Sequence, residues 1–353
     1  MLAGIAARGA TALRLNYERP ELSFVAQETR RRVLWTLSLM DGVFSVGLPE
    51  YETISHSIIY QRLPSSEDAY RDGNPNVQIA GRQHLMESNS TEVCSLLAAC
   101  IQLSKIAKDV MRLTRQLALS EQPLAQLSGL VQDIQNDLRR VQAEVEYSFQ
   151  YNVAATASVA EKKDSRWFAR YLQVSMTWHQ VHCDLYRMFL PRYPQAAPKV
   201  IMETVEPSLK AHAVKACQDH VKNINEILKG LLDLTGHPVL PSYIAVCAYH
   251  ATRLTLFLPS SPVLGMQMNM ESAIESANVA LHVLHRWFSG SVATEKIILD
   301  MQYLVSLSRG DPGSIFRELS CPSPPLDHGR HRHSHLAVHS LVRQANFMDD
   351  GYD

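Results

Sequence analysis

The chain has 353 residues, 46% apolar and 20% charged. Such a chain is long enough to bury roughly 75% of its unfolded surface, as one large domain or two ordinary ones. Its formal net charge of −1 supplies no bulk field towards nucleic acid or an anionic membrane, which argues against unaided DNA binding. The six cysteines, Cys94, Cys100, Cys183, Cys217, Cys247 and Cys321, form no C-x-x-C pair and read as buried reduced thiols. The clustered six-cysteine spacing of a binuclear zinc module is absent.

Residues 1–16 place Leu2, Ile5, Ala6, Gly9 and Leu13 on one helical face. Arg8 and Arg14 interrupt the apolar run and no basic n-region precedes it, so no signal peptide is expected. No window reaches eighteen uninterrupted apolar residues, and no membrane span is expected.

After a loop through Pro20, a helix is predicted over 23–47, capped by Ser23 and stopped by Gly47 and Pro49. In it Glu28, Arg30, Arg31 and Arg32 run into Leu34 and Trp35. Val33, Leu37, Met40 and Phe44 form one apolar stripe; Trp35, Leu39, Val43 and Val46 form another. A helix with two such stripes is expected to be buried on most sides. Asp41 then needs a partner, and the arginine run or another arginine is the candidate. The basic triplet reads as a solvated face or a set of ion-pair partners. It is short for a nuclear import signal or a phosphate contact.

Residues 48–90 read as an irregular connection, broken by Pro49, Pro64, Gly73, Pro75 and Gly81. Two heptad seams follow: Leu96, Cys100, Leu103, Ala107, Val110, Thr114, Leu117, and Leu124, Leu127, Val131, Ile134, Leu138, Val141, Val145. The short step from Ser120 to Pro123 makes them an antiparallel hairpin over about 93–149, with a dimeric coiled coil as the alternative. A small polar linker is expected over 151–165. Helices follow at about 166–190, 199–232, 241–258, 271–288 and 291–308, punctuated by prolines. No run reads as a strand. The predicted fold is all-α, a multi-helix bundle over 1–308 with a flexible Pro/His-rich tail over 309–353, where 336–347 is the one candidate helix.

Several motifs carry little chemistry. Asp349-Asp350-Gly351-Tyr352-Asp353 spells a DDxxD metal motif, and Asn136 to Glu144 nearly spells its usual companion. Arg140 stands where an oxygen ligand is needed, and the two motifs are in the wrong order for an all-α metal-dependent lyase. His179 and His182, beside Cys183, have zinc-compatible spacing but read better as hydrogen-bonded core histidines. His328, His331, His333, His335 and His339 form an unorganised cluster. No G-x-G-x-x-G, P-loop, H-E-x-x-H or G-x-S-x-G is present, so no enzyme is expected.

The order of features resembles the fungal-specific transcription factor domain, the regulatory region of zinc-cluster transcriptional regulators. The resemblance rests on the small-residue helix Ala6 to Leu15, then Glu28 with Arg30, Arg31 and Arg32, Leu34-Trp35, Asp41, Gly47-x-Pro49 and the Leu63-Pro64 step. Trp178 to Pro191 and Cys217 to Leu228 resemble later helices of that family. The specific part is 1–64; a weaker likeness runs to 308. Thr36 stands where the family commonly has a second aromatic, Leu48 replaces an arginine, and Ser55-His56-Ser57 replaces the usual acids. The resemblance implies a nuclear regulator controlling target genes, a metabolic gene cluster among the candidates. Its implied partners are the transcription machinery, other regulators or a small-molecule effector. DNA and zinc would be engaged only through a module absent here, expected upstream of Met1 unless lost through truncation, an incomplete gene model or divergence. No cofactor is implied for this chain. A helical interaction module without transcriptional activity is the alternative.

Overall fold

The heptad seams set the first half of the architecture. The computed structural model describes residues 2–45, 52–74, 95–120, 122, 124, 126–235, 239–261, 269–310 and 312–319. Among them are thirteen α-helices and no strand, so the chain is an all-α multi-helix bundle. A single bridge joins Tyr17 to Tyr60, whose rings stack at 5.1 Å.

Helices α4 (Leu96–Leu119) and α5 (Leu127–Phe149) pair as the predicted hairpin. Leu103, Val110, Leu117, Leu138, Val141 and Val145 are buried along their seams. The centre of the bundle is α7 (Phe168–Arg187), which packs on α4, on α9 (Pro207–Leu232) and on α10 (Tyr243–Ser260). Nearly every residue of α7 and α10 is buried, the behaviour expected of helices apolar all round. Helices α11 (Met270–Trp287) and α12 (Val292–Ser308) close the far side.

Four expectations are corrected. The helix predicted over 199–232 is two, α8 (Lys199–Thr204) and α9. Pro207 opens α9 and Val205 and Glu206 are extended ahead of it, because a proline clashes with a helical residue before it. The linker over 151–165 is packed: Tyr151 and Val153 are buried, and α6 (Thr156–Glu161) lies against α7 and α9. Residues 312–319, expected within the flexible tail, form α13 (Pro312–Leu319), which inserts Ile315, Phe316 and Leu319 into the core. The remainder of the expected tail lies outside the described residues.

The fourth correction concerns α1 (Leu2–Ala12) and α2 (Phe24–Ser45). α1 buries Ala7 and Ala10, while Ile5 and Leu13 are 61% and 71% exposed; small side chains admit the close approach of α2, and the larger apolar face looks outward. On α2 the buried side carries Glu28, Leu34, Trp35, Ser38 and Asp41, whereas Val33 and Met40 are exposed. The first predicted stripe is therefore split, with Val33 and Met40 at the surface and Leu37 partly buried against the Ala7–Leu34 cluster. The helix turns its polar residues inward because the chain from 52 to 74 supplies their partners. That stretch holds a 3₁₀ turn, His56–Ile58, and α3 (Glu67–Asp72).

Candidate functional site: the clamp on residues 62–67 and a buried imidazole cluster

The Glu28–Trp35 signature resolves into a set of charge-assisted bonds that grip one short stretch of chain. Ser23 starts α2, its Oγ accepting from the Ala26 N–H at 3.4 Å. One turn later the Glu28 carboxylate is fully buried. Its Oε1 accepts from Arg32 Nε at 2.9 Å and from the Ser65 N–H at 3.0 Å, and its Oε2 accepts from Arg31 Nη1 at 3.4 Å. Arg32 Nη2 continues to the Ser65 carbonyl at 2.7 Å, and its guanidinium lies 4.6 Å from the centre of the Tyr70 ring.

Arg31 donates both Nε and Nη2 to Glu18, at 2.8 and 2.7 Å, the fork geometry that favours arginine over lysine. Burial pushes the Glu18 pKa up, but Arg31 and the Arg62 N–H pull it lower, and the net shift is down. Arg30 Nη2 donates to the Arg14 carbonyl at 2.7 Å, just beyond α1. The Trp35 indole N–H donates to the Arg62 carbonyl at 2.9 Å. Arg31 and Arg32 are thus engaged with acids and carbonyls, and Arg30 with a carbonyl. The triplet does not stand free as a phosphate contact.

The clamped stretch leads straight into the joint with the bundle. Buried Glu67 accepts from the Leu96 and Leu97 N–H groups at 3.2 and 3.1 Å, and Ser95 Oγ accepts from Ala98 N–H at 2.8 Å while donating to the Pro64 carbonyl at 2.9 Å. The first-turn donors of a helix have no partner within it, and a carboxylate there also meets the positive end of the helix dipole. The joint is completed by Trp35 against Leu97 and Ile101 and by the ion pair of Lys108 with Glu52 at 3.1 Å, both side chains 6% exposed. Gly42 explains itself here: a Cβ would lie 2.9 Å from Lys108 Cε.

Asp41 does not pair with an arginine. Its Oδ2 accepts from the Thr53 and Ile54 N–H groups at 2.8 and 2.9 Å. The physical reason is length: nine residues of helix set Asp41 about 14 Å along the axis from Arg32, while the returning chain presents two unpaired amides beside it. Gly47 and Pro49 lie outside the described residues. The sequence reasoning missed Glu18 and Glu67, which have no unusual local pattern. An arginine triplet alone implies an unnamed acid somewhere, and Glu18 is one; Glu67 serves the α4 amides instead.

The second concentration of polar chemistry joins α7 to α9. His179 Nδ1 lies 3.0 Å from His220 Nδ1, the His182 ring stacks on the His220 ring at 4.2 Å, and Trp178 covers His182 at 4.1 Å. His182 Nδ1 donates to the Trp178 carbonyl at 2.8 Å. His179 Nε2 is buried with no partner. A proton there would be an unpaired buried donor, so the tautomer with the proton on Nδ1, donated to His220, is preferred. Burial, and then the neighbouring imidazole of His182, lower the His179 pKa to about 3. Burial lowers that of His182 to about 4 despite its carbonyl bond, and His220 is lowered by burial and by His182 and His179. At neutral pH the cluster is uncharged. Stacked rings do not aim their in-plane lone pairs at one point, and no group of three or more His, Cys, Asp or Glu among the described residues is arranged to hold a metal ion.

Next to it runs a buried ionic row that the sequence reading did not single out. Asp184 pairs with Arg187 at 2.9 Å and accepts from Gln180 at 2.8 Å; Arg187 reaches His250 at 3.3 Å. Tyr249 donates to Asp300 at 2.7 Å and accepts from Arg253 at 2.8 Å. Asp184 and Arg187, three apart in an otherwise apolar helix, were the available signal. Cys183, Cys217 and Cys247 are buried in the same region, and burial raises all three thiols, which makes them inert rather than nucleophilic. Among the described residues no helix is long and apolar enough to cross a membrane. The His328–His339 cluster and the Asp349–Asp353 motif lie outside the described residues.

The chain matches no family model, no curated protein and no solved structure.

Proposed function

We propose that this chain is the helical regulatory region of a fungal zinc-cluster-type transcriptional regulator, acting in the nucleus on target genes through a DNA-binding module that lies outside it. The observation that carries the reading is the convergence of Glu28, Arg32, Trp35 and the Leu63-Pro64 step on residues 62–67. Glu28, Arg32 and Trp35 are about thirty residues from the Leu63-Pro64 step in sequence, yet all belong to the set on which the family resemblance rests, and one clamp brings them together. The clamp's last member, Glu67, caps α4, so a force applied at α1 or α2 has a short polar route into the bundle. That is the arrangement a regulatory region needs between a DNA-reading module and a body that meets the transcription machinery, other regulators or an effector. The reading assigns no catalytic step and no cofactor to this chain.

Fusion of residues 1–353 to an unrelated DNA-binding domain tests it with a reporter gene. A change in transcription that Glu28→Ala abolishes is expected. A fusion that is well expressed and nuclear but leaves the reporter unchanged overturns an active regulatory role. The outward apolar face of α1, with Ile5 and Leu13 exposed, favours a second reading, an interaction module without transcriptional activity. A silent reporter together with loss of a co-purified partner on Leu13→Asp would support it. An in-frame six-cysteine cluster in the genomic sequence upstream of Met1 would favour the first.

A further inference from the structure

A concavity of about 340 Å³ lies between α11 and α12. The two helices pack side by side across a short turn at 288–291, so they run antiparallel. Each offers the same ridge to the groove: Asn278, Leu281, His282 and His285 on α11, and Gln302, Val305, Ser306 and Arg309 on α12. Both sets follow the i, i+3, i+4, i+7 spacing of one helix face. Leu281 and Val305, 7% and 4% exposed, form an apolar floor continuous with the core. His285 and Gln302 close one end, their Nε2 atoms 3.4 Å apart. Arg309 stands at the other end, where α12 finishes. Side chains lean back towards the N-terminus of their helix, which brings the guanidinium over the turn that carries Val305.

The electrostatics of this groove are one-sided. Among the described residues no carboxylate lines it, and Arg309 forms no ion pair with any of them. Arg31, Arg32 and Arg187 by contrast have acids in contact, while Arg30 and Arg286 are held by backbone carbonyls. The polar groups around the floor offer N–H and O–H donors, and the one permanent charge is a planar guanidinium suited to a two-oxygen acceptor. Leucine and valine at the floor give a carbon skeleton an apolar contact between the polar walls.

We propose that the α11–α12 groove binds a small organic carboxylate, its carbon skeleton on Leu281 and Val305 and its carboxylate on Arg309, with His282 as the nearest additional donor. The site does not depend on the transcriptional reading above; if that reading holds, the groove is where an acidic effector would act. An inorganic oxyanion would satisfy Arg309 but leave the floor unused, and a neutral amide of the same shape would use the floor but leave Arg309 without its partner.

The test uses the full chain with sodium benzoate as the probe, following the imidazole resonances of His282 and His285 by NMR. Benzoate is expected to shift them saturably, with a dissociation constant on the order of 1 mM, while benzamide and inorganic phosphate bind at least several-fold more weakly. Arg309→Gln is expected to weaken benzoate about tenfold, the discount for an exposed charged contact included, and to leave the thermal midpoint unchanged. Gln302→Glu, which places an acid in the groove, is expected to abolish binding. The proposal is overturned if benzoate fails to saturate, if benzamide or phosphate binds as tightly, or if Arg309→Gln retains full affinity. None of these outcomes touches the reporter assay, so the two readings fail separately.

Discussion

Glu28→Ala is the sharpest perturbation of the clamp. It removes a fully buried carboxylate that accepts three hydrogen bonds, from Arg31, Arg32 and the Ser65 N–H. The arginine side chains are only 14% and 17% exposed, so water does not fully replace what they lose. Removing one partner of a buried ion pair costs about 3–5 kcal/mol. The lower end applies here, because Arg31 keeps Glu18 and Arg32 keeps the Ser65 carbonyl. The expected loss is about 3 kcal/mol, read as a drop in the urea midpoint. Glu28→Gln keeps an acceptor for Ser65 but turns an amide towards a guanidinium, and about 2 kcal/mol is expected. A chain of this length can unfold in stages, so a local measurement completes the test. The Leu96 and Leu97 amides are held by Glu67, which follows the clamped stretch directly. Their hydrogen exchange is expected to accelerate in Glu28→Ala, although Glu28 does not touch α4. A loss under 1 kcal/mol, or unchanged exchange at those two amides, would refute the clamp as the link between α2 and the bundle.

Trp35→Ala removes a 7% exposed indole that packs on Leu97 and Ile101 and holds the Arg62 carbonyl; a loss of about 3–5 kcal/mol in the urea midpoint is expected, and under 1 kcal/mol would mean α2 is not buried. Phe316→Ala empties a site where the ring stacks on Phe257 at 5.7 Å and is expected to cost about 3–5 kcal/mol; no loss would show α13 to be dispensable. Stability is expected to fall as the pH drops below about 6.5, the ordinary imidazole value. His179 and His182 have folded values of about 3 and about 4, so across that window the unfolded chain binds protons that the folded one refuses. Each such histidine contributes a slope of up to about 1.4 kcal/mol per pH unit. Thermal midpoints between pH 6.5 and 5 read this slope, and His179→Gln with His220→Gln is expected to reduce it, His56 and His182 keeping the remainder; an unchanged slope would refute the assignment.

Most of the bundle was legible because its helices are held by periodic apolar residues, and periodicity is what a sequence displays. The α4–α5 hairpin, α7 and the α10–α12 run follow directly from seams such as Leu103, Val110 and Leu117. Pro207 was legible too, as a break, but 199–232 reads as one helix when apolar spacing is weighted above the proline. α13 is hidden because Ile315, Phe316 and Leu319 give it a buried face only two turns long, and Asp311-Pro312-Gly313 looks like a chain leaving the fold. The site was half legible. That the arginines serve acids was readable from their place at the edge of an apolar helix. Which acids they serve was not, because Glu18 and Ser65 come from segments whose approach is set by tertiary packing. Asp41 shows the limit most clearly: a buried acid demands donors, but backbone amides such as those of Thr53 and Ile54 have no sequence signature.

The two ways of holding helices together have different consequences for regulation. Within the bundle, contacts are apolar and dispersed over one large cluster, so sliding one helix disturbs many weak contacts at once and no single bond decides the position. Among the described residues the N-terminal helices have a small core, Ala7, Ala10, Leu34 and Ile54, with Trp35 packed on Leu97 and Ile101 of α4. Their place is fixed instead by directional bonds at Glu18, Glu28, Asp41 and Glu67. Polar networks are demanding in geometry and lose most of their value when one member leaves. Glu18 and Arg31 are also partly open to solvent, at 28% and 14%, where added salt weakens them in a way that it does not weaken leucine packing. The joint between α2 and α4 is therefore held by directional bonds that can be lost one at a time, whereas the bundle behind it rests on many dispersed contacts.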